Sequence, residues 1–335
     1  MVGPLILATL VLVAGLVGLV VLVVRLARST PLAAPPPQPA SPLSAAQTRP
    51  YVDRALRQAR LRALVCVGVA AVALVVGLRI EALRPDLLGL PSALTPGLAA
   101  AVALLVYAWL PTPPSAVESG GTVSAPLTPR SATSFGTRAV FTVPTAVAVV
   151  FLGFLAWAGA VAGPDELGRF REFPLSGRDW SAAAGPFPGS YYGLPLAGVT
   201  VLLAAATLAA LRRVALTPVL PVAGLDLVDR AWREVSTRII VRISTAALLG
   251  YVGGSLLFAG GAIRSASSTA FLTTGHRSIL EPAGVVLLGC GLLTVVAGVA
   301  VAMLAVLAAV TLRSALPMAV AGTPRAAVTG PPTSR

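Results

Sequence analysis

Apolar residues in this chain gather into seven long runs, at 3–24, 62–78, 97–110, 139–162, 194–211, 239–263 and 283–312. Every acidic residue lies outside them, and the arginines sit at or beyond their margins. A helix needs about 20 apolar residues to cross a hydrocarbon core of roughly 30 Å. In lipid the backbone must satisfy its own hydrogen bonds, which selects helices. The pattern therefore predicts an all-α fold: a polytopic transmembrane helix bundle of seven spans. The third run has only 14 residues, or about 21 Å of helix. It is extended back through Pro96 to 92–110, because proline is tolerated in a first helical turn. The first run, taken with its leading residues as 1–24, reads as an anchor rather than a cleaved leader. No basic residue precedes it and no small-residue cleavage site precedes Arg25.

Charge orients the spans. Arginines in the segments 25–61, 111–138, 212–238 and 313–335, with those at the adjoining span margins, number 18 of the 25, and the opposite side has seven. With five and seven acids on the respective sides, the net charges are +13 and 0. Positive charge marks the cytoplasmic face. The expectation is a plasma (inner) membrane protein with its N-terminus outside and its C-terminus cytoplasmic. Anionic lipid at that face is the expected partner.

Two of these cytoplasmic segments resemble each other. Val52-Asp53-Arg54-Ala55-Leu56-Arg57 precedes the second span, and Val228-Asp229-Arg230-Ala231-Trp232-Arg233 precedes the sixth. Seven of 14 aligned positions are identical. Each copy follows a Thr-Pro, and Leu94-x-Pro96 and Leu280-x-Pro282 introduce the next span of each half. This suggests a 3+1+3 plan, in which two parallel three-helix repeats are joined by one linking span and related by an axis along the membrane normal. Asp53, Arg54, Arg57, Asp229, Arg230 and Arg233 are the candidate gate or partner contacts. A plainer role is an arginine-rich helix entry snorkelling to lipid. Leu225, Val228, Trp232, Val235 and Ile239 form one stripe on a helix running into the sixth span.

Other segments carry less. The stretches 25–61 and 111–138 and the tail 313–335 are rich in Pro, Ala, Ser or Thr and read largely as solvated linker, apart from the juxtamembrane helix entry ending at 61. The extracytoplasmic loop 163–193 gathers aromatics, including Trp180, Tyr191 and Tyr192. It reads as an interfacial belt, or as a cap over an outward cavity. Gly284, Gly291 and Gly298 repeat every seven residues in the last span, and Gly250 and Gly254 offer a similar surface on the sixth. Small residues let helices approach closely, so all five are candidate packing positions.

Composition agrees with lipid as the solvent. The chain is 56% hydrophobic and 11% charged, with a mean hydropathy of +0.87, against about 25% charged in soluble domains. All 25 basic residues are arginine, which suggests a high-GC bacterial coding bias. Those arginines flank apolar runs without a basic, aromatic-lined groove, which argues against nucleic acid as a partner. Cys66 and Cys290 fall near opposite faces of the predicted bundle, too far apart for a disulfide.

Candidate chemistry is sparse. His276 is the sole histidine, so a multi-histidine metal site is excluded. There is no phosphate-binding P-loop and no hydrolase nucleophile elbow. No catalytic residue, metal ligand or cofactor site is assigned, and the chain is expected not to be an enzyme. An enzyme would have to draw on Asp165, Glu166, Glu172 or Asp179 in the aromatic loop. Proton- or sodium-coupled carriers keep an ionisable or strongly polar group at mid-membrane, and these spans offer only scattered hydroxyls.

The segment Gly185-Pro-Phe-Pro-Gly-Ser-Tyr-Tyr-Gly-Leu-Pro-Leu196, with the Asp-Arg-Ala-x-x-Arg entry, resembles integral membrane proteins of high-GC Gram-positive bacteria to which no activity is assigned. The resemblance implies a membrane fold and nothing about chemistry. The 3+1+3 plan is also similar in architecture to small sugar facilitators, but their Pro-Gln helix motif is missing, since Pro37-Gln38 lies in a linker. Three functions follow in order of expectation. The first is an accessory or permease-like component of an envelope or transport assembly, with a protein partner in the membrane or cytoplasm. The second is an uncoupled facilitator of a small neutral or apolar solute. The third is a sensor or enzyme using the 163–193 loop.

Overall fold

The computed structural model describes residues 45–110, 131–177, 180–218, 226–275 and 278–321. Helix α1 (Ala45–Leu83) is followed by a 3-10 turn (Pro85–Leu87), then α2 (Leu90–Trp109) and α3 (Arg138–Val161). Three short strands come next, β1 (Gly163–Pro164), β2 (Phe170–Ser176) and β3 (Ser181–Ala184). Helices α4 (Ser190–Leu216), α5 (Asp226–Thr274) and α6 (Glu281–Ala321) complete the chain. All six helices are long and apolar enough to cross a membrane. The predicted span at 1–24 lies outside the described residues.

The most buried helices are α2, α4 and α5. Their contact faces are small or branched: Ala100, Ala101, Ala103 and Leu104 on α2, Leu203, Ala206 and Ala210 on α4, and Ile240, Leu248 and Tyr251 on α5. Alanine brings backbones close and loses no rotamer freedom on packing. Helices α1, α3 and α6 leave large apolar side chains exposed, Val72, Val150 and Leu293 among them. In water such faces would be a liability; against acyl chains they are matched to their solvent.

The bundle has an arginine-rich end and a sheet end. At the sheet end the 3-10 turn after α1 is followed by two consecutive left-handed residues, Leu88 (φ 53°) and Gly89 (φ 88°), which turn the chain into α2. Glycine takes this conformation freely, but leucine does so at a cost of roughly 1–2 kcal/mol. Helix α5 has 49 residues, or about 73 Å at 1.5 Å per residue, far more than a bilayer core. Its excess has two uses. The first turns bury Trp232 and Arg233 at the arginine-rich end, and the later turns run beside the sheet.

The segment 163–193 is not the irregular aromatic loop expected from sequence. It contains a three-stranded antiparallel sheet in the order β1-β2-β3, with Phe173 opposite Ala184 and Leu175 opposite Ala182. The purely α-helical expectation is corrected to a mostly helical fold with one small sheet. Pro174 and the flanking glycines mask the two-residue period that normally announces a strand. Tertiary packing supplies what the local signal lacks. Phe173 and Phe187 are buried against Ala158 and Ala162 of the α3 end and Ala259, Ala262, Ile263 and Ala266 of α5.

Candidate functional site

At the arginine-rich end the aligned segments part company. Arg233 is fully buried. Its Nε donates to Asp229 Oδ2 at 2.8 Å and its Nη2 to Asp229 Oδ1 at 3.0 Å. Nη1 donates to the Val214 and Ala215 carbonyls at 2.6 and 3.4 Å, and Nη2 to those of Thr217 and Pro218 at 2.8 and 3.1 Å. Those carbonyls belong to the last turn of α4 and its exit, where a helix has unsatisfied acceptors and negative dipole. Trp232 Nε1 also donates to Asp229 Oδ1, at 3.0 Å, and the guanidinium lies over the rings of Trp232 and Phe135. Arg233 thus caps α4 from α5. The Asp229–Arg233 pair is not the solvated pair that i,i+4 spacing suggests.

The other predicted contacts differ. Arg230 is largely exposed and pairs with Glu234 at 3.0 Å, and Arg57, which aligns with Arg233, is exposed on α1. Asp53 and Arg54 lie on α1, with side chains outside the described residues. In the first half it is Arg62 that is buried, donating through Nη2 to the Tyr107 carbonyl at 2.9 Å with its guanidinium 4.4 Å from the Tyr107 ring centre.

The glycine stripe of α6 meets a matching stripe on α5. A Cβ at Gly284 would come 3.0 Å from the Gly260 carbonyl, one at Gly291 would come 2.9 Å from the Gly253 carbonyl, and one at Gly298 3.1 Å from that of Ala246. The α5 partners are therefore Ala246, Gly253 and Gly260, themselves seven residues apart. The sequence alone assigns this surface on the sixth span to Gly250 and Gly254 instead. Gly250 and Gly254 face elsewhere. They line a cavity of about 190 Å³ with Ser92, Ala93 and Pro96 of α2, Tyr192 and Leu196 of α4, and Tyr251, Ser255 and Phe258 of α5. Among the described residues the buried Tyr251 hydroxyl has no hydrogen-bond partner, and it packs against Gly97, where any side chain would overlap it.

At the sheet end the aromatic candidates act as ties. The Tyr192 hydroxyl donates to the Leu88 carbonyl at 2.6 Å and that of Tyr191 to the Leu87 carbonyl at 3.2 Å, fastening the strained turn before α2 to the start of α4. Trp180 closes the β2–β3 hairpin, its carbonyl accepting from the Gly177 N–H at 2.9 Å. Asp165 organises the turn between β1 and β2. Oδ1 accepts the Leu167 and Arg169 N–H groups at 2.9 Å, and Oδ2 accepts Arg169 Nε at 2.9 Å and Arg171 Nε at 2.6 Å. The hydrogen bond from Arg171, aided by those from Arg169 and Leu167, holds this carboxyl well below the usual carboxylate range. Both oxygens are engaged. Glu166 is exposed, Glu172 half-buried on β2, and Asp179 lies outside the described residues.

Within the bundle, Thr207 Oγ1 lies 3.0 Å from Ser244 Oγ, a polar contact between α4 and α5. Several threonines within the helices, such as Thr200, Thr245 and Thr294, donate to the carbonyl four residues back. Cys66 and Cys290 are free thiols. Among the described residues no group of three or more His, Cys, Asp or Glu side chains is placed to hold a metal ion. No protein-family model matches the chain, and comparisons with curated proteins and with solved structures likewise found no match.

Proposed function

We propose that this chain is a non-enzymatic, multi-pass component of the plasma membrane, with the arginine-rich end cytoplasmic, serving an envelope or transport assembly as an accessory or permease-like part. The observation that supports this most is the double pinning of α5. Arg233 ties it to the end of α4, and backbone-close glycine contacts tie it to α6. A helix held at both neighbours suits a rigid structural element better than a rocking gate. Asp165, the first acid of the 163–193 segment, has its two oxygens occupied by four donors, which fits a structural role. The outward lipid-facing surfaces of α1, α3 and α6 are then the places for a partner.

Photo-crosslinkers at Val72, Val150 and Leu293 in native membranes test this. Adducts to one protein from one of these faces are expected; lipid adducts alone at all three positions would remove the reading.

A second reading, an uncoupled facilitator for a small neutral or apolar solute, is favoured by the cavity. It lies between α2 of the first proposed three-helix repeat and α4 and α5 of the second. Uptake by proteoliposomes across a panel of uncharged solutes decides it, and flux no faster than in protein-free vesicles excludes it.

A further inference from the structure

Arg62 and Arg233 are both buried at the arginine-rich end, at 2% and 0% exposure, and both cap the C-terminal end of a neighbouring helix. Their partners differ sharply. A guanidinium presents five N–H donors and no acceptor. Every nitrogen of Arg233 is bonded, and a carboxylate four residues earlier balances its charge. Arg62 has one carbonyl and one aromatic face, while its Nε and Nη1 are buried without a partner. The position four residues before it is Gln58, a neutral side chain whose Oε1 is also buried and unpartnered. Among the described residues Arg62 forms no ion pair, and the charged side chain that acts on it is Arg213 of α4, of the same sign. Nε of Arg60 is unpartnered as well.

A buried charge is tolerated when it is paired and hydrogen-bonded, and is strongly unfavourable otherwise. Arg62 has a hydrogen bond and an aromatic face but, among the described residues, no counter-ion. The members of the site meet at the arginine-rich end of the bundle: Arg62 lies along α1, while Tyr107 and Arg213 lie at the C-terminal ends of α2 and α4. Ser236 of α5 lies against the Tyr107 hydroxyl on the fourth side. In a spanning bundle these ends stand at the level of lipid headgroups. We infer that Arg62, with Arg213, forms a binding site for a phosphate-class oxyanion, which supplies the acceptor and the negative charge that Asp229 supplies to Arg233. A phosphate group offers several acceptor oxygens to a fork of donors. Whether it arrives on an anionic lipid or as free phosphate, the chemistry at Arg62 is the same. The inference needs the helices to span a bilayer but is independent of the accessory role.

The test uses the full chain in nanodiscs. Lipid retained through purification is identified by native mass spectrometry, and thermal unfolding is followed in phosphatidylcholine alone, with added phosphatidylglycerol, and with added inorganic phosphate. An anionic lipid engaging two arginines is expected to be enriched over phosphatidylcholine by roughly 30-fold, about fivefold for each. Arg213→Gln should lower that enrichment. Gln58→Glu places a carboxylate four residues before Arg62, as Asp229 stands to Arg233. It should raise stability in pure phosphatidylcholine and abolish the response to both phosphatidylglycerol and phosphate. A response to phosphate alone would assign the site to a free anion. No response of the wild type to either ligand, or an undiminished response in Gln58→Glu, overturns the inference. Because Gln58→Glu adds a partner and removes none, a folding defect in Arg62→Gln does not obscure the outcome.

Discussion

Replacing Asp229 with asparagine leaves the fully buried guanidinium of Arg233 without a counter-charge. The side chains of the pair are 0% and 9% exposed, so solvent cannot take over the role of the lost carboxylate. Removing one partner of a buried ion pair costs about 3–5 kcal/mol, a shift of two to nearly four decades in the unfolding equilibrium at about 1.4 kcal/mol per decade. The cost extends beyond the pair. Asp229 also accepts from Trp232 Nε1, and an asparagine can offer only one acceptor oxygen where three donors converge. Arg230→Ala is the internal control, since its side chain is 73% exposed and surface pairs are worth about 0–1 kcal/mol. Arg233→Lys should fall in between, because an ammonium keeps the charge but cannot fork between Asp229 and the end of α4. The double change Asp229→Leu, Arg233→Met should be less harmful than the sum of the singles, since it strands no charge, although α4 still loses its cap. Equilibrium unfolding in detergent, monitored by tryptophan fluorescence, measures all four. If Asp229→Asn is as stable as Arg230→Ala, the buried cap is wrong.

Three further outcomes are expected. Gly291→Ala should lower stability by about 1–3 kcal/mol, because its Cβ meets the backbone of α5 at 2.9 Å, whereas Gly254→Ala meets nothing within 4 Å and should be near neutral in parallel melts. Tyr192→Phe removes the bond to Leu88 and should cost about 0.5–1.5 kcal/mol, read as faster hydrogen exchange in the 85–89 turn. Asp165 has a folded pKa below its unfolded value, so its stabilising effect is present above the ordinary carboxylate range and is lost only as pH falls through the lower folded value. Limited proteolysis of the 163–184 region should therefore be unchanged between pH 7 and 5 in the wild type, while Asp165→Asn should be cut faster at both; equal cutting would remove Asp165 from its organising role.

The helices from the second predicted span onward were legible because their signal is composition sustained over a bilayer's width, which tertiary context hardly alters. Extents were less so. Arg264 and the polar stretch through Thr274 mark the end of an apolar run, yet α5 continues because Ala259, Ala262 and Ala266 of the same helix have a sheet to lean on. That sheet was hidden by Pro174 and by aromatics that an interfacial belt would equally explain. The repeated Asp-Arg-Ala-x-x-Arg segment was visible, but its two arginines have opposite fates. Arg233 finds the end of α4 and Arg57 faces outward, while Arg62, five positions on, is the buried residue of the first half. Burial of that kind depends on which neighbour arrives, and no local pattern encodes it.

The glycine seam between α5 and α6 has a consequence for alignment. Small teeth at equal intervals mesh in more than one notch: displacing α6 by one heptad, about 10 Å, would again set small residues against small ones, Gly284 against Gly253 and Gly291 against Ala246. The zipper therefore fixes proximity without fixing position. Position must come from unlike features at its ends, the short 275–280 connection on one side and the Arg242 guanidinium on the Leu304 carbonyl on the other.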